Sequence, residues 1–172
     1  MLKVQELQLK PIPEIIKLLG ILEFNDLSTV DLAKLAYTLN VSVLPKDFGE
    51  TKIAGEKIIC AFVTNSKGNS CIFYSDDLLN IKARIMIARS FAKYIITGNN
   101  SFFVTHSTNF SIREKMLTNE MLMPESQVKD VICKLILPTT FSLAEIFQVT
   151  QEFVRQRLAE MEVETPIAGY NF

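Results

Sequence analysis

One short stretch in the middle of the chain has residue types at a spacing that supports nucleophilic chemistry. Ser90 and Lys93 match a Ser-x-x-Lys pattern, which in serine acyl-enzymes places a lysine one helical turn from the nucleophile to accept its proton. The companion Ser-Asp-Asn and Lys-Thr-Gly motifs of those enzymes do not occur in this sequence. A hydrolase with this chemistry is therefore an alternative that two residues alone support.

The same stretch holds a pair of cations. Arg89 and Lys93 are four residues apart, so they lie on one face of a helix. Carboxylates such as Glu114 or Glu120 would neutralise the pair in a salt-bridge cluster, or the pair would face solvent. Arg89, Lys93, Glu114 and Glu120 are therefore the candidate interaction or salt-bridge cluster.

Basic residues also lie in the last predicted helix. Arg155 and Arg157 follow a tight turn, in a helix pair that resembles a helix-turn-helix and spans residues 142–161. The same helix carries Glu152 and Glu160, whereas a recognition helix in DNA usually shows a cleaner basic face. The pattern favours a packing unit and leaves DNA contact by the two arginines as the alternative.

Metal and disulfide chemistry have few candidate residues. His106 is the single histidine of the chain, so no site with two histidines can form, and we predict no metal and no cofactor. The cysteines, Cys60, Cys71 and Cys133, are odd in number and stand in apolar surroundings. We interpret them as small core residues rather than as a disulfide framework.

Composition indicates one globular domain. The chain has 172 residues, of which 48% are hydrophobic and 22% charged, and its net charge is −1. This balance gives no global preference for nucleic acid or anionic membrane. No secretory signal or membrane-spanning run is visible, so we predict a cytoplasmic protein without membrane association. The predicted domain covers 1–161, and an irregular tail covers 162–172.

Periodicity and turn residues predict an α+β fold with a small antiparallel sheet and several packed helices. Ser28 as N-cap, the box of Ser111 with Glu114 and a second box of Ser142 with Glu145 mark helix starts. Thr150 is a further N-cap, before the last helix. The predicted helices cover 13–19, 27–39, 77–96, 111–123, 125–135, 142–148 and 151–161, and the predicted strands cover 41–44, 58–64, 71–75 and 102–105.

Three segments occur in the order typical of one family. Residues 84–95 read RIMIARSFAKYI, similar to RFTIAHELGHYL; residues 119–124 read NEMLMP, similar to AELLMP; and residues 142–158 read SLAEIFQVTQEFVRQRL, which ends like LAxxFxVSxxxVxxRL. Together they resemble the ImmA/IrrE (DUF955-type) zinc metallopeptidases. The resemblance implies a zincin-like core over about residues 27–161.

The active-site positions depart from that family. Its two zinc-binding histidines and its general base correspond to Arg89, Lys93 and Ser90, and its third ligand falls near Ser111. Arginine and lysine have no free lone pair at neutral pH and repel a zinc ion, and a serine hydroxyl cannot replace the carboxylate base. The resemblance therefore implies a pseudoenzyme without catalytic residues, in which the cations refill the former metal site as a salt-bridge cluster or a patch for an acidic group.

Family members act on helix-turn-helix repressors of phage and mobile elements. The resemblance thus implies a regulatory module that binds such a repressor, or that competes with an active peptidase, without cutting. The alternatives are the DNA-binding regulator that acts through Arg155 and Arg157, and the hydrolase that uses Ser90 and Lys93.

Overall fold

The computed structural model describes residues 4–20, 32–53, 55–65, 68–98, 102–104 and 110–163. The N-cap predicted at Ser28, the histidine His106 and the tail from 164 onward lie outside these ranges. Eight helices occur in the described chain: α1 (Val4–Leu7), α2 (Ile12–Leu18), α3 (Leu32–Leu39), α4 (Asn80–Thr97), α5 (Ile112–Leu122), α6 (Glu125–Lys134), α7 (Thr140–Phe147) and α8 (Gln151–Glu160). The strands are β1 (Val41–Lys46), β2 (Lys52–Ile53), β3 (Glu56–Lys57), β4 (Cys60–Thr64), β5 (Ser70–Ser75) and β6 (Phe102–Val104).

The α+β class is confirmed, but the main sheet is mixed rather than antiparallel. Its order is β1-β5-β4-β6. The predicted hairpin of β4 and β5 is present, and β6 pairs antiparallel with β4. β1 pairs parallel with β5, so the prediction of an antiparallel sheet was wrong. A hairpin follows from its own turn residues, whereas the direction of a strand paired across a long connection depends on the path of that connection. The short hairpin of β2 and β3 was not predicted.

Helix α4 is the central element, as its apolar residues on several faces predict. Met86 and Phe91 belong to a core cluster with the sheet and the N-terminal helices. Ile85 and Ala88, on another face, belong to a cluster with the C-terminal helices. The helix ends at Gly98, whose φ of 73° few other residues adopt. Any side chain on α4 between these two clusters therefore faces the junction of the two halves.

Two helix starts illustrate capping. The box of Ser111 and Glu114 is confirmed, because each side chain accepts a hydrogen bond from the other residue's backbone N–H. The predicted box at Ser142 was wrong. The N-cap of α7 is Thr139, whose hydroxyl accepts the N–H of Ser142, while the Ser142 hydroxyl accepts the N–H of Thr139. Glu145 has no part in this box, since the helix starts three residues earlier than the Ser-x-x-Glu pattern implies.

The cysteines do not all lie in the core. Cys60 is buried and Cys71 half-buried, but Cys133 is exposed. Its interpretation as a core residue was wrong, because it falls on the solvent side of α6, whose buried residues are Val128, Val131 and Ile132.

Candidate functional site

Arg89 and Lys93, on the central helix, each lie over an aromatic ring. The Arg89 guanidinium lies 5.1 Å from the centre of the Phe110 ring, and the Lys93 ammonium lies 5.0 Å from that of Phe103. Both distances are within the range of cation–π attraction, which contributes about 1 kcal/mol at partly exposed sites. Helix α4 therefore presents the two charges one turn apart, as predicted, with aromatic rings as their neighbours.

The acidic side chains proposed for this cluster have other partners. Glu114 is buried and accepts the Ser111 backbone N–H at 2.8 Å, as part of the capping box. Glu120 forms an ion pair with Arg157. Among the described residues no ion pair joins Arg89 or Lys93 to either glutamate. The four residues of the predicted cluster thus lie on two helices that pack together, α4 and α5, but the ionic contacts between them are absent from the described chain.

The ion pair of Glu120 and Arg157 joins α5 to α8, and the sequence did not predict this contact. Arg157 is only 6% exposed. Its Nε donates to the Met123 carbonyl at 3.1 Å, and its Nη2 pairs with Glu120 at the end of α5. Glu120 also accepts the N–H of Glu125, the first residue of α6. Arg157 therefore fastens the corner between α5 and α6 to helix α8.

This burial bears on DNA contact. Arg157 does not present its guanidinium to solvent, so a duplex would meet Arg155 alone. Arg155 is exposed, and its nitrogens lie 3.6 Å from a carboxylate oxygen of Glu152 and 3.5 Å from the side-chain oxygen of Gln151. The tight turn and the cap at Thr150 are confirmed, since its hydroxyl accepts the N–H of Phe153.

Ser90 lies in the core rather than in a cleft. Its side chain is fully buried, and its hydroxyl is 3.1 Å from the Cys60 thiol. Burial raises the pKa of that thiol to about 11, so Cys60 is a neutral hydrogen-bonding partner at pH 7. A substrate has no access to Ser90 in this arrangement.

A groove opens on the other side of α4, between that helix, α5 and α8. It consists of a cavity of about 290 Å³ and a second one of about 220 Å³. Arg89, Phe153 and Gln156 line both cavities, so the two adjoin at these side chains. We call the two cavities together the Arg89 cleft. The remaining lining residues are Phe110, Lys115, Thr118 and Asn119 in the first cavity, and Ile59, Leu78, Lys82, Ile85, Met86, Thr150 and Glu152 in the second.

The charge of Arg89 is incompletely compensated in this cleft. The residue is half-buried, and burial lowers the pKa of its guanidinium. Phe110 and the Met86 sulfur, which lies 4.0 Å from an Arg89 nitrogen, interact with the guanidinium more weakly than water does. Within the described ranges no carboxylate lies within ion-pair distance. A partly desolvated cation of this kind favours binding of an anion, because the anion replaces the hydrogen bonds to water that the guanidinium has lost.

Zinc does not fit the residues at the positions where the resemblance places it. Arg89 and Lys93 offer cations, Ser90 is buried, and Ser111 uses its hydroxyl as a helix cap by accepting the N–H of Glu114 at 3.2 Å. In the part of the chain that the structure covers, no three His, Cys, Asp or Glu side chains are grouped closely enough to hold a metal ion.

No protein-family model matches this chain, and no curated protein matches it. The family resemblance therefore stays a prediction. None of the helices in the described ranges combines the length and apolar character needed to cross a membrane.

Sequence reasoning missed most of the cleft lining. Phe153 reads as a core residue of an amphipathic helix, and Phe110 precedes a cap without any other signal. Lys115 and Gln156 belong to exposed helix positions that carry no motif. Only Arg89 was singled out, and its distinguishing property is its position at the junction of three helices.

Proposed function

We propose that this chain is a non-catalytic, zincin-like module of the ImmA/IrrE type that binds a protein partner through the Arg89 cleft. The proposed partner is a helix-turn-helix repressor of a phage or mobile element. The observation that carries the proposal is a half-buried guanidinium that lines an open groove and has no carboxylate within ion-pair distance in the described chain. Such a site is suited to binding and lacks the ligands and the base that zinc-dependent cleavage requires.

In this proposal the module has no catalytic residues, and its groove serves only for binding. The central helix is packed against two core clusters, so the backbone at Arg89 is held in place before any partner arrives. Preorganisation of this kind reduces the entropy lost on binding. A partner that supplies a carboxylate gains a charge-assisted hydrogen bond, which contributes about 1.5–3 kcal/mol.

The test is a calorimetric titration of the purified protein with a purified helix-turn-helix repressor of a phage or mobile element. We expect binding without cleavage, and at least about a tenfold loss of affinity in Arg89→Gln. Lys129→Gln is the matched control, because it also removes one positive charge but lies on α6, in an exposed pair with Glu125. It should bind as the wild type does. The absence of binding would refute the interaction.

Metal analysis tests the non-catalytic part separately. We expect less than about a tenth of an equivalent of zinc after dialysis, because the proposed positions offer no ligands. The protein should also leave the repressor intact over hours on a gel. Cleavage that a chelator stops would contradict the proposal, whatever the binding result.

DNA binding through α8 is the weaker alternative. One exposed arginine, Arg155, stands beside the exposed carboxylate of Glu152, and Arg157 is engaged in the interior. Salt-dependent binding of a duplex that Arg155→Ala abolishes would support it.

A further inference from the structure

The two cavities of the Arg89 cleft differ in chemistry. The larger one has a polar lining with two cations, Arg89 and Lys115, and no carboxylate among its lining residues. Half of the residues that line the smaller one are apolar, among them Ile59, Leu78 and Ile85, and its polar residues include Lys82 and Glu152. Arg89 borders both. A ligand that occupies both cavities must therefore carry a polar, anionic group next to an apolar one.

The two cations of the larger cavity are not equivalent. Lys115 forms an ion pair with Glu160, and Asn119 donates a hydrogen bond to the same carboxylate. Lys115 is therefore compensated within the protein. Arg89 is the cation whose carboxylate partner is missing from the described chain, and its planar guanidinium can bind a carboxylate with two parallel hydrogen bonds.

The smaller cavity has room for a large apolar side chain. Its volume of about 220 Å³ exceeds the roughly 150 Å³ of an apolar cavity known to accommodate benzene. A leucine- or phenylalanine-sized side chain that enters this cavity removes apolar surface from water, which favours binding. The apolar part of the ligand thus adds to the affinity that the charged part provides.

We propose that the Arg89 cleft recognises a peptide segment in which an acidic side chain is adjacent to a large apolar one. The carboxylate pairs with Arg89 in the larger cavity, and the apolar side chain enters the smaller cavity between Ile85 and Phe153. This inference deepens the proposed function and rests on it, since it defines the sequence that a protein partner must present.

Charged residues of both signs lie in and beside the cleft. Lys82 and Glu152 line the smaller cavity, and Glu160 lies beside Lys115 at the larger one. The inference therefore rests on Arg89, whose guanidinium matches the geometry of one carboxylate.

The test uses dipeptides and the full chain, followed by ¹⁵N–¹H NMR titration. The probes are acetyl-Glu-Leu-amide and acetyl-Leu-Glu-amide, each compared with its Gln analogue and with the analogue that has Gly in place of Leu. We expect the better acidic–apolar probe to bind at least about tenfold more tightly than either analogue. The largest shift changes should fall on residues that line the cleft.

Variants connect the effect to Arg89. In Arg89→Gln the difference between the Glu and Gln probes should vanish, while the difference between Leu and Gly remains. Arg89→Lys keeps the charge and should retain part of the preference for the acid. Lys129→Gln should behave as the wild type, and dispersed NMR spectra show that each variant is folded.

Equal affinity for the Glu and Gln probes, or no shift changes in the cleft at about 10 mM probe, would overturn the inference. The repressor titration separates this failure from failure of the proposed function. If the repressor binds and Arg89→Gln weakens it, while the dipeptides show no preference for the acid, the cleft is a partner site with another specificity. If the repressor does not bind either, both proposals fail.

Discussion

Replacement of Arg157 by methionine tests whether the interior ion pair holds the C-terminal half of the protein together. Methionine keeps an unbranched stem of similar length but removes the guanidinium. The substitution breaks the ion pair with Glu120 and the hydrogen bond to the Met123 carbonyl. It leaves the glutamate partly buried without its counter-ion.

The expected loss follows from the burial of the pair. The side chain of Arg157 is 8% exposed and that of Glu120 is 20% exposed, and removal of one partner of a buried pair destabilises by about 3–5 kcal/mol. Glu120 keeps some contact with water and accepts the N–H of Glu125 at 3.3 Å, so the lower end of this energy range applies. We expect a decrease of about 3 kcal/mol in the free energy of unfolding, which lowers the Tm of a chain of this size by about 6–12 °C.

Urea unfolding monitored by circular dichroism measures this decrease as a shift in midpoint at unchanged slope. Arg155→Met is the matched control. It lies two residues away on the same helix, is exposed, and should change stability by less than about 0.5 kcal/mol. A double-mutant cycle with Glu120→Gln should give a coupling energy above about 1 kcal/mol. Equal stabilities of Arg157→Met and Arg155→Met would refute the reasoning.

Two further predictions concern the reactivity of two separate cysteines and the cap of a helix. Cys60 is buried and the pKa of its thiol is raised to about 11, so at pH 8 iodoacetamide should modify exposed Cys133 much faster than Cys60. Mass spectrometry of tryptic peptides measures the two rates. Comparable rates would mean that the contact between β4 and α4 opens readily. Thr139→Ala should destabilise by about 1 kcal/mol in thermal unfolding because it removes the N-cap of α7. Glu145→Ala, which the sequence pattern marks as the capping partner, should stay within about 0.5 kcal/mol, and a larger loss there than at Thr139 would contradict the observed start of α7.

Local structure followed from the sequence where neighbouring residues decide it. The box of Ser111 and Glu114 and the end of α4 at Gly98 depend on hydrogen bonds and backbone angles within one turn. The failure at Ser142 has the same origin. Two Ser/Thr-based boxes compete in residues 139–145, and the one that lies at Thr139 has both reciprocal hydrogen bonds.

Long-range partners were beyond the sequence. Nothing in the spacing of Arg155 and Arg157 distinguishes the exposed residue from the buried one; the rotation of α8 against the corner of α5 and α6 decides it. The same packing pairs Glu120 with Arg157, 37 residues away. The direction of β1 likewise depends on the chain path between β1 and β5.

The sequence by itself determined most of the helices and the strands of the main sheet, and the presence of cations one helical turn apart at Arg89 and Lys93, because these depend on residue types and on local spacing. The tertiary structure alone decided that Arg89 borders a groove, that its neighbours are Phe110 and Phe153, and that Ser90 is inaccessible. A cleft forms where surfaces of separate helices fail to meet, and the shape of that gap depends on packing among residues far apart in the chain.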